Sequence, residues 1–212
     1  MAERNGTDTR VKILEVAEQA FARDGYAGAH LQAIAEQVGV RKTALYYYFQ
    51  SKAALHEEVL VRILEHLDHA FDAVVGTPGA AADQLVRLVE SMNDVLAEKR
   101  NYPLILIRLF VEPIDYAGTR VLPLVERLVS RLLRFYREGV DAGAFRKLSS
   151  RHFFQSLLGV TLFHYASRDF GAAILETDDL FTSANVSWRR AEVREILLRG
   201  VLREDPSGET PA

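Results

Sequence analysis

Residues 41–52 read RKTALYYYFQSK, three consecutive tyrosines flanked by cations. At about 100° per residue on a helix, Leu45 and Phe49 share one side. That turns Tyr47 almost opposite to them and leaves Tyr46 and Tyr48 on the flanks. Arg41, Lys42 and Thr43 then occupy the first turn, and Lys52 follows just past the helix. Phenolic hydroxyls donate to phosphate oxygens, their rings lie against sugars or a thymine methyl, and cations neutralise phosphates. An outward face of this kind suits a nucleic-acid duplex. The competing reading packs Tyr46 and Tyr48 on neighbouring helices and leaves Tyr47 as an incidental surface ring.

Two other groupings of reactive residue types need a reading. His66 and His69 stand three apart on one helical side with Glu65 and Asp68 nearby, a spacing compatible with a metal; a solvated helix face is the better reading, so no metal is expected. Arg108 sits in the most apolar stretch of the chain, PLILIRLFVE, where a buried guanidinium needs a partner. Glu112, one turn on, is favoured over an acidic effector. The chain has no cysteine, which excludes disulfides, thiolate catalysis and cysteine zinc sites. It has no HExxH, phosphate loop or nucleophile elbow, so nothing positive points to an enzyme and no cofactor is expected.

These residues belong to a chain of 212 with 49% hydrophobic composition, enough to bury one good core or a core plus a small satellite domain. No apolar run reaches the roughly 18 residues of a membrane span, and MAERNGTDTR lacks the hydrophobic segment of a signal peptide. A cytoplasmic protein with no membrane partner is expected. The net charge of −3 is unevenly spread: residues 30–56 carry Arg41, Lys42 and Lys52 against Glu36, while residues 57–212 are net acidic. The excess of positive charge therefore coincides with the tyrosine block.

Helical periodicity runs through almost the whole chain without a convincing alternating strand, so the fold class is all-α. A first helix starts near Thr7 or Asp8, buries Val11, Leu14, Ala17 and Phe21, and stops at Gly25. A short second helix covers about 31–38, with Leu31, Ile34, Ala35 and Val38 inward and Gly39 as its stop. Only Val40 separates that glycine from the tyrosine helix, so the two must cross steeply, as in a helix-turn-helix. Longer helices follow at about 53–75, 80–99, from Pro103 to Pro113, 119–140, 150–167 and 186–203. The helix at 53–75, about 33 Å long at 1.5 Å per residue, joins the small N-terminal domain to the rest. The tail EDPSGETPA is expected to be disordered.

The stretch HLQAIAEQVGVRKTALYYYFQSKAALHEEVL, residues 30–60, resembles the DNA-binding core of the TetR family of transcriptional regulators, with IAEQVGV, LYYYF and SKAAL in the right order. REGVDAGAFRKL and EILLRGVL resemble later segments of the family. Two departures stand out: His30 where a threonine or serine cap is frequent, and Tyr48 where histidine is frequent. The resemblance implies a helix-turn-helix DNA-binding domain at 1–54 and a larger helical effector-binding and dimerisation domain at 55–212. It implies base reading by Arg41, Lys42, Thr43 and Tyr46, backbone contact by Tyr47, Tyr48 and Lys52, and a further contact from Gln32. A small-molecule effector cavity is implied as well, for which Leu67, Phe71, Leu88, Met92, Leu106, Phe110, Phe163 and Tyr165 are candidates, with Arg108.

The stretch HFFQSLLGVTLFHYA carries Phe153, Leu157, Val160 and Phe163 one turn apart, with Phe154, Leu158 and Leu162 beside them. That stripe is wider than one intrachain partner needs, which points to a second copy of the chain, with Gly159 allowing close approach. By resemblance, the helix of Val193, Ile196, Leu197 and Val201 completes a four-helix interface. The expected function is that of a homodimeric regulator, a repressor released from a double-stranded operator by its effector. The alternatives are a regulator answering to a protein partner or acting as an activator, and an all-α binding protein or enzyme whose N-terminal helices are scaffold.

Overall fold

The computed structural model describes residues 2–202, with side chains from Asp8 onward. Among these residues the secondary structure is helical, with one isolated bridge between Phe145 and Leu202. The elements are α1 (Ala2–Gly28), α2 (Leu31–Val38), α3 (Lys42–Tyr48), α4 (Lys52–Val75), α5 (Ala81–Glu98), α6 (Tyr102–Val111), α7 (Val121–Asp141), α8 (Ser150–Ala166), α9 (Arg168–Ile174) and α10 (Ser183–Val201). None of them is long and apolar enough to cross a membrane. The tail from residue 204 lies outside the described residues.

Several expected boundaries and faces are corrected. Thr7 and Asp8 lie inside α1 rather than at its cap, because nothing in the preceding residues interrupts the helix. Val11 is 41% exposed; it sits about 120° from Ala17, while Ile13, Leu14, Ala17, Ala20 and Phe21 form the buried side. Gly25 does break the helix, at φ 71° and ψ 179°. Only glycine occupies that region readily. A last turn follows, closed by Ala29 N–H donating to Gly25 O at 3.2 Å. The last long helix begins before Val186 because the Thr182 hydroxyl accepts from Asn185 N–H at 3.3 Å and so caps it at Ser183. The short α9 was not expected from periodicity.

The chain divides into two compact units, one of residues up to 66 with 101–124, the other of 67–100 with 125 onward. In the first, α1 packs on α2 and α6, and α2 on α3. Its ionic contacts are concentrated where α4 begins: Glu58 accepts from Arg10 and from Arg120, and Arg120 also reaches Glu57 at 3.2 Å. Beside them His56, only 7% exposed, meets Phe21 edge-on at 4.6 Å, Tyr26 at 4.9 Å and Tyr116 at 6.3 Å. Burial pushes the His56 imidazole down to about 4; Lys52 adds to this and Glu112 opposes it. The Tyr116 phenol is pushed up to about 12, again mainly by burial.

The second unit is organised around Phe71, Leu85, Leu88, Phe135, Tyr136, Phe145, Phe153, Leu157, Val193, Leu197 and Val201. Its buried polar residues Asp68, Asn93 and Thr161 are partnered. Asp68, 4% exposed, accepts from Arg127 and Arg131. Tyr165 donates to Asn93 Oδ1 at 2.8 Å, and Asn93 donates to Val186 O at 3.4 Å, which pins α5, α8 and α10 together.

The depressed His56 value carries a stability consequence. The unfolded imidazole titrates near 6.5 and the folded one near 4, so the unfolded chain takes the proton first. Stability is full above about pH 6.5 and falls as the pH drops toward 4, by up to about 3 kcal/mol from this residue. Urea unfolding of wild type and His56→Phe at pH 7.5 and pH 4.5 checks this. The variant should lose clearly less stability between the two pH values, and equal losses would refute the assignment.

Candidate nucleic-acid interface

The geometry of the tyrosine helix is set three residues before it begins. Gly39 caps α2 in the left-handed region, φ 84° and ψ 29°, and its N–H donates to Ala35 O at 3.0 Å and Glu36 O at 3.1 Å. Val40 N–H also returns to Ala35 O, at 2.9 Å. A Cβ on Gly39 would touch nothing, so the need for glycine there is conformational rather than steric. Arg41 is already extended, φ −72° and ψ 148°, and α3 starts at Lys42.

Leu45 and Phe49 are buried at 0% and 4%, anchoring α3 from beneath, with the Arg10 guanidinium 5.2 Å from the Phe49 ring centre. The opposite side is open: Tyr47 is 86% and Tyr46 43% exposed, and Tyr48 is half-buried, edge-on to Tyr47 at 5.3 Å. Arg41, Lys42 and Thr43 are exposed, and Lys42 Nζ lies 6.0 Å from the Tyr46 ring centre. Among the described residues neither Arg41 nor Lys42 is in an ion pair. The first turn of α3 thus offers uncompensated positive charge next to exposed phenols.

Two candidates have partners within the chain. Gln32 is exposed but donates to Glu36 Oε1 at 2.7 Å. Lys52 is the first residue of α4; its ammonium donates to Ala27 O at 3.0 Å and stands 4.9 Å from the Tyr26 ring centre. One of its three donors is used. His30 precedes α2 without a side-chain capping bond, as its departure from a hydroxyl residue suggests.

The effector candidates fall in different units. Leu67, Phe71, Leu88 and Tyr165 are buried, and Met92 half-buried, in the second unit; Leu106 is buried and Arg108 half-buried in the first. Phe110 and Phe163 are 52% and 58% exposed, outside any core. Arg108 Nη1 donates to Glu112 Oε1 at 2.8 Å, the intrachain pair that was favoured. Of the histidine pair, His66 Nδ1 lies 3.3 Å from Tyr102 Oη, and the nearby Asp68 is taken by two guanidiniums.

The helix face expected to meet a second copy is corrected. Phe153, Leu157, Val193, Leu197 and Val201 are buried in the chain's own second unit, with Val160 packed against them; α5 packs on α8, and the Tyr136 ring of α7 stacks on Phe153 at 4.5 Å. Of the residues expected to face a second copy, Phe163 and Ile196 are substantially exposed, at 58% and 53%, and Trp188, not among them, at 75%. Trp188, the single tryptophan, lies within the helix expected at 186–203 but was not among the candidates.

Residues 13–59 match a family described as bacterial regulatory proteins, tetR family. The chain is 42% identical over 62 residues to the HTH-type transcriptional regulator TtgR of Pseudomonas putida, a match covering 29% of this chain and 30% of TtgR. It is 26% identical over 131 residues to the negative transcriptional regulator IcaR of the Staphylococcus aureus icaADBC biofilm operon, covering 60% of this chain and 69% of IcaR. In fold it is similar to the transcriptional regulator FadR of Bacillus subtilis bound to stearoyl-CoA, with a TM-score of 0.70 at 16% identity over 90% of this chain and 98% of that one. The likeness to TtgR thus spans about a third of that protein's length, while the fold likeness to FadR extends over nearly the whole chain. Residues 13–59 thus carry the N-terminal segment described for the tetR family of bacterial regulatory proteins, and the chain as a whole shares the all-helical fold of a solved regulator.

Proposed function

We propose that the chain is a homodimeric, sequence-specific regulator of transcription, a cytoplasmic repressor without a catalytic step, released from its operator by a small molecule. The observation that carries the reading is the exposed face of α3, where Arg41, Lys42 and Thr43 stand free beside Tyr46 and Tyr47. Arg41, Lys42, Thr43 and Tyr46 read bases; Tyr47, Tyr48 and Lys52 hold the backbone, and Gln32 adds a contact by leaving Glu36. Residues 1–54 form the DNA-binding domain and 55–212 the effector and dimerisation domain. IcaR being a negative regulator and FadR having been solved with an acyl-CoA support the repressor and effector parts of the reading. Leu67, Phe71, Leu88, Met92 and Tyr165, gathered in one unit, are the proposed effector lining.

Exposed apolar surface supports the dimer. Phe163 on α8 and Trp188 and Ile196 on α10 are large apolar side chains left mostly exposed, and a Cβ at Gly159 would meet nothing within 4 Å. Two recognition helices in a symmetric dimer must stand about 34 Å apart, or a multiple of that, to enter successive major grooves. α4 is one unbroken helix whose start carries Lys52 and whose later turns carry Leu67 and Phe71. An effector that displaces those two side chains tilts α4 and changes the spacing.

Three outcomes are expected. Lys52→Ala and Tyr47→Phe weaken all duplexes alike, the lysine change flattening the salt slope by about one unit, whereas Lys42→Ala or Thr43→Ala mainly relax sequence preference; salt titrations on specific and scrambled duplexes separate the two sets. Light scattering at micromolar concentration gives a dimeric mass, with a blue-shifted Trp188 emission that moves red on dilution; a monomeric mass refutes the interface. Once an effector is in hand, operator weakens its binding by the same factor by which it weakens operator binding. Equal effector affinities with and without operator would show the sites to be uncoupled.

A further inference from the structure

The Gly25 break is occupied from outside the helix. An ideal Cβ at residue 25 would fall on Arg108 Nη1 and lie 2.7 Å from Glu112 Oε1. The pair on α6 therefore rests in the space that glycine leaves, and it does more than fill it. Arg108 Nη1 donates to Glu112 Oε1 at 2.8 Å, and Arg108 Nη2 reaches Arg23 O, the last turn before the break, at 3.4 Å. Glu112 Oε2 accepts from Tyr26 N–H, the first amide after it, at 3.3 Å. One ion pair thus grips the backbone on both sides of a single strained residue, with side-chain exposures of 32% and 22%.

What hangs from that residue is the whole reading head. Gly25 at φ 71° sets the direction in which the chain leaves α1, and only one turn and His30 separate it from α2, whose Gly39 turn then sets α3. The residues just past the break are tied down again at Tyr26 and Ala27, the first by its ring beside Lys52 and His56, the second by accepting from Lys52 Nζ. With the Arg108 and Glu112 grip removed, the break loses the contact that spans it, while the apolar faces of α2 and α3 stay buried.

We propose that Arg108 and Glu112 are positioning residues for DNA recognition, an ion pair on α6 that fixes the exit angle of α1 at Gly25 and through it the attitude of α2 and α3. The proposal rests on the DNA-binding reading above. It gives α6 a direct route to the recognition helix that does not pass through α4, so any shift of α6 is felt at α3.

The test uses the full-length chain, with a duplex recovered by selection from random-sequence DNA as the probe and a scrambled duplex as the control. Arg108→Met and Glu112→Leu each keep bulk and remove the grip. Each should lower affinity for the selected duplex by about tenfold or more, with a smaller loss on the scrambled one, because base contacts tolerate little misplacement. Amide exchange of residues 26–38 in free protein should rise in both, and the double variant should be no worse than the weaker single. If Arg108→Met does not fold, Glu112→Gln, which removes the charge and keeps the shape, carries the comparison. Exchange at 26–38 and duplex affinity both within twofold of wild type in any folded variant would overturn the proposal, as would an affinity loss that merely tracks the folded fraction in urea. Failure of the DNA reading looks different: wild type then prefers no sequence, and the exchange comparison still reports on the grip.

Discussion

The left-handed turn at Gly39 is the constraint on which the recognition surface depends. A non-glycine residue there would be strained at φ 84°, and a turn one residue longer would rotate α3 relative to α2. With the turn fixed, Leu45 and Phe49 have only one way to reach the apolar interior, and burying them forces Tyr46, Tyr47 and the first-turn cations outward. The exposed phenols are thus a consequence of the buried pair, and an exposed ring as large as Tyr47 is a cost that monomer stability alone does not explain.

The second unit follows the same logic with polar groups. Asp68 lies under two arginines, and Tyr165 meets Asn93 between three helices. Pairs of this kind contribute little net stability compared with apolar packing, but breaking one strands a buried partner, so they define one arrangement of α4 against α7 and of α5, α8 and α10 together. Arg189 adds a guanidinium whose pKa burial lowers and whose Nη2 is held by Val160 O. His164, close by, is pushed down to about 4 by burial and by that arginine.

Much of this was legible in the residues. Helix α2 was found at both ends because Gly39 is an unambiguous stop, and the two sides of α3 were found because a seven-residue helix with Leu45 and Phe49 one turn apart leaves little freedom. The pairing of Arg108 with Glu112 followed from one-turn spacing in an apolar segment. The inward assignment of Val11 and the outward assignment of Phe153 and Leu157 failed for a shared reason. Periodicity finds an apolar stripe but does not say which edge of it is covered, and on α8 that depends on α5 and on Tyr136 of α7, which local spacing does not reveal. Lys52, read as a free cation, acquired Ala27 O as a partner from 25 residues upstream, and Gly25, read as a stop, proved to be a seat for α6. Neither contact leaves a local signal.

The central claim is that the outward side of α3 reads DNA sequence as one half of a symmetric pair. The most direct measurement is a selection of duplexes bound by the full-length chain from random-sequence DNA, followed by sequencing. The account predicts an enriched inverted repeat whose half-sites are centred about one helical turn of DNA, or a multiple of it, apart, and whose information is lost when Lys42 and Thr43 are both replaced by alanine. Enrichment of no motif, or of one that survives that replacement unchanged, would contradict it.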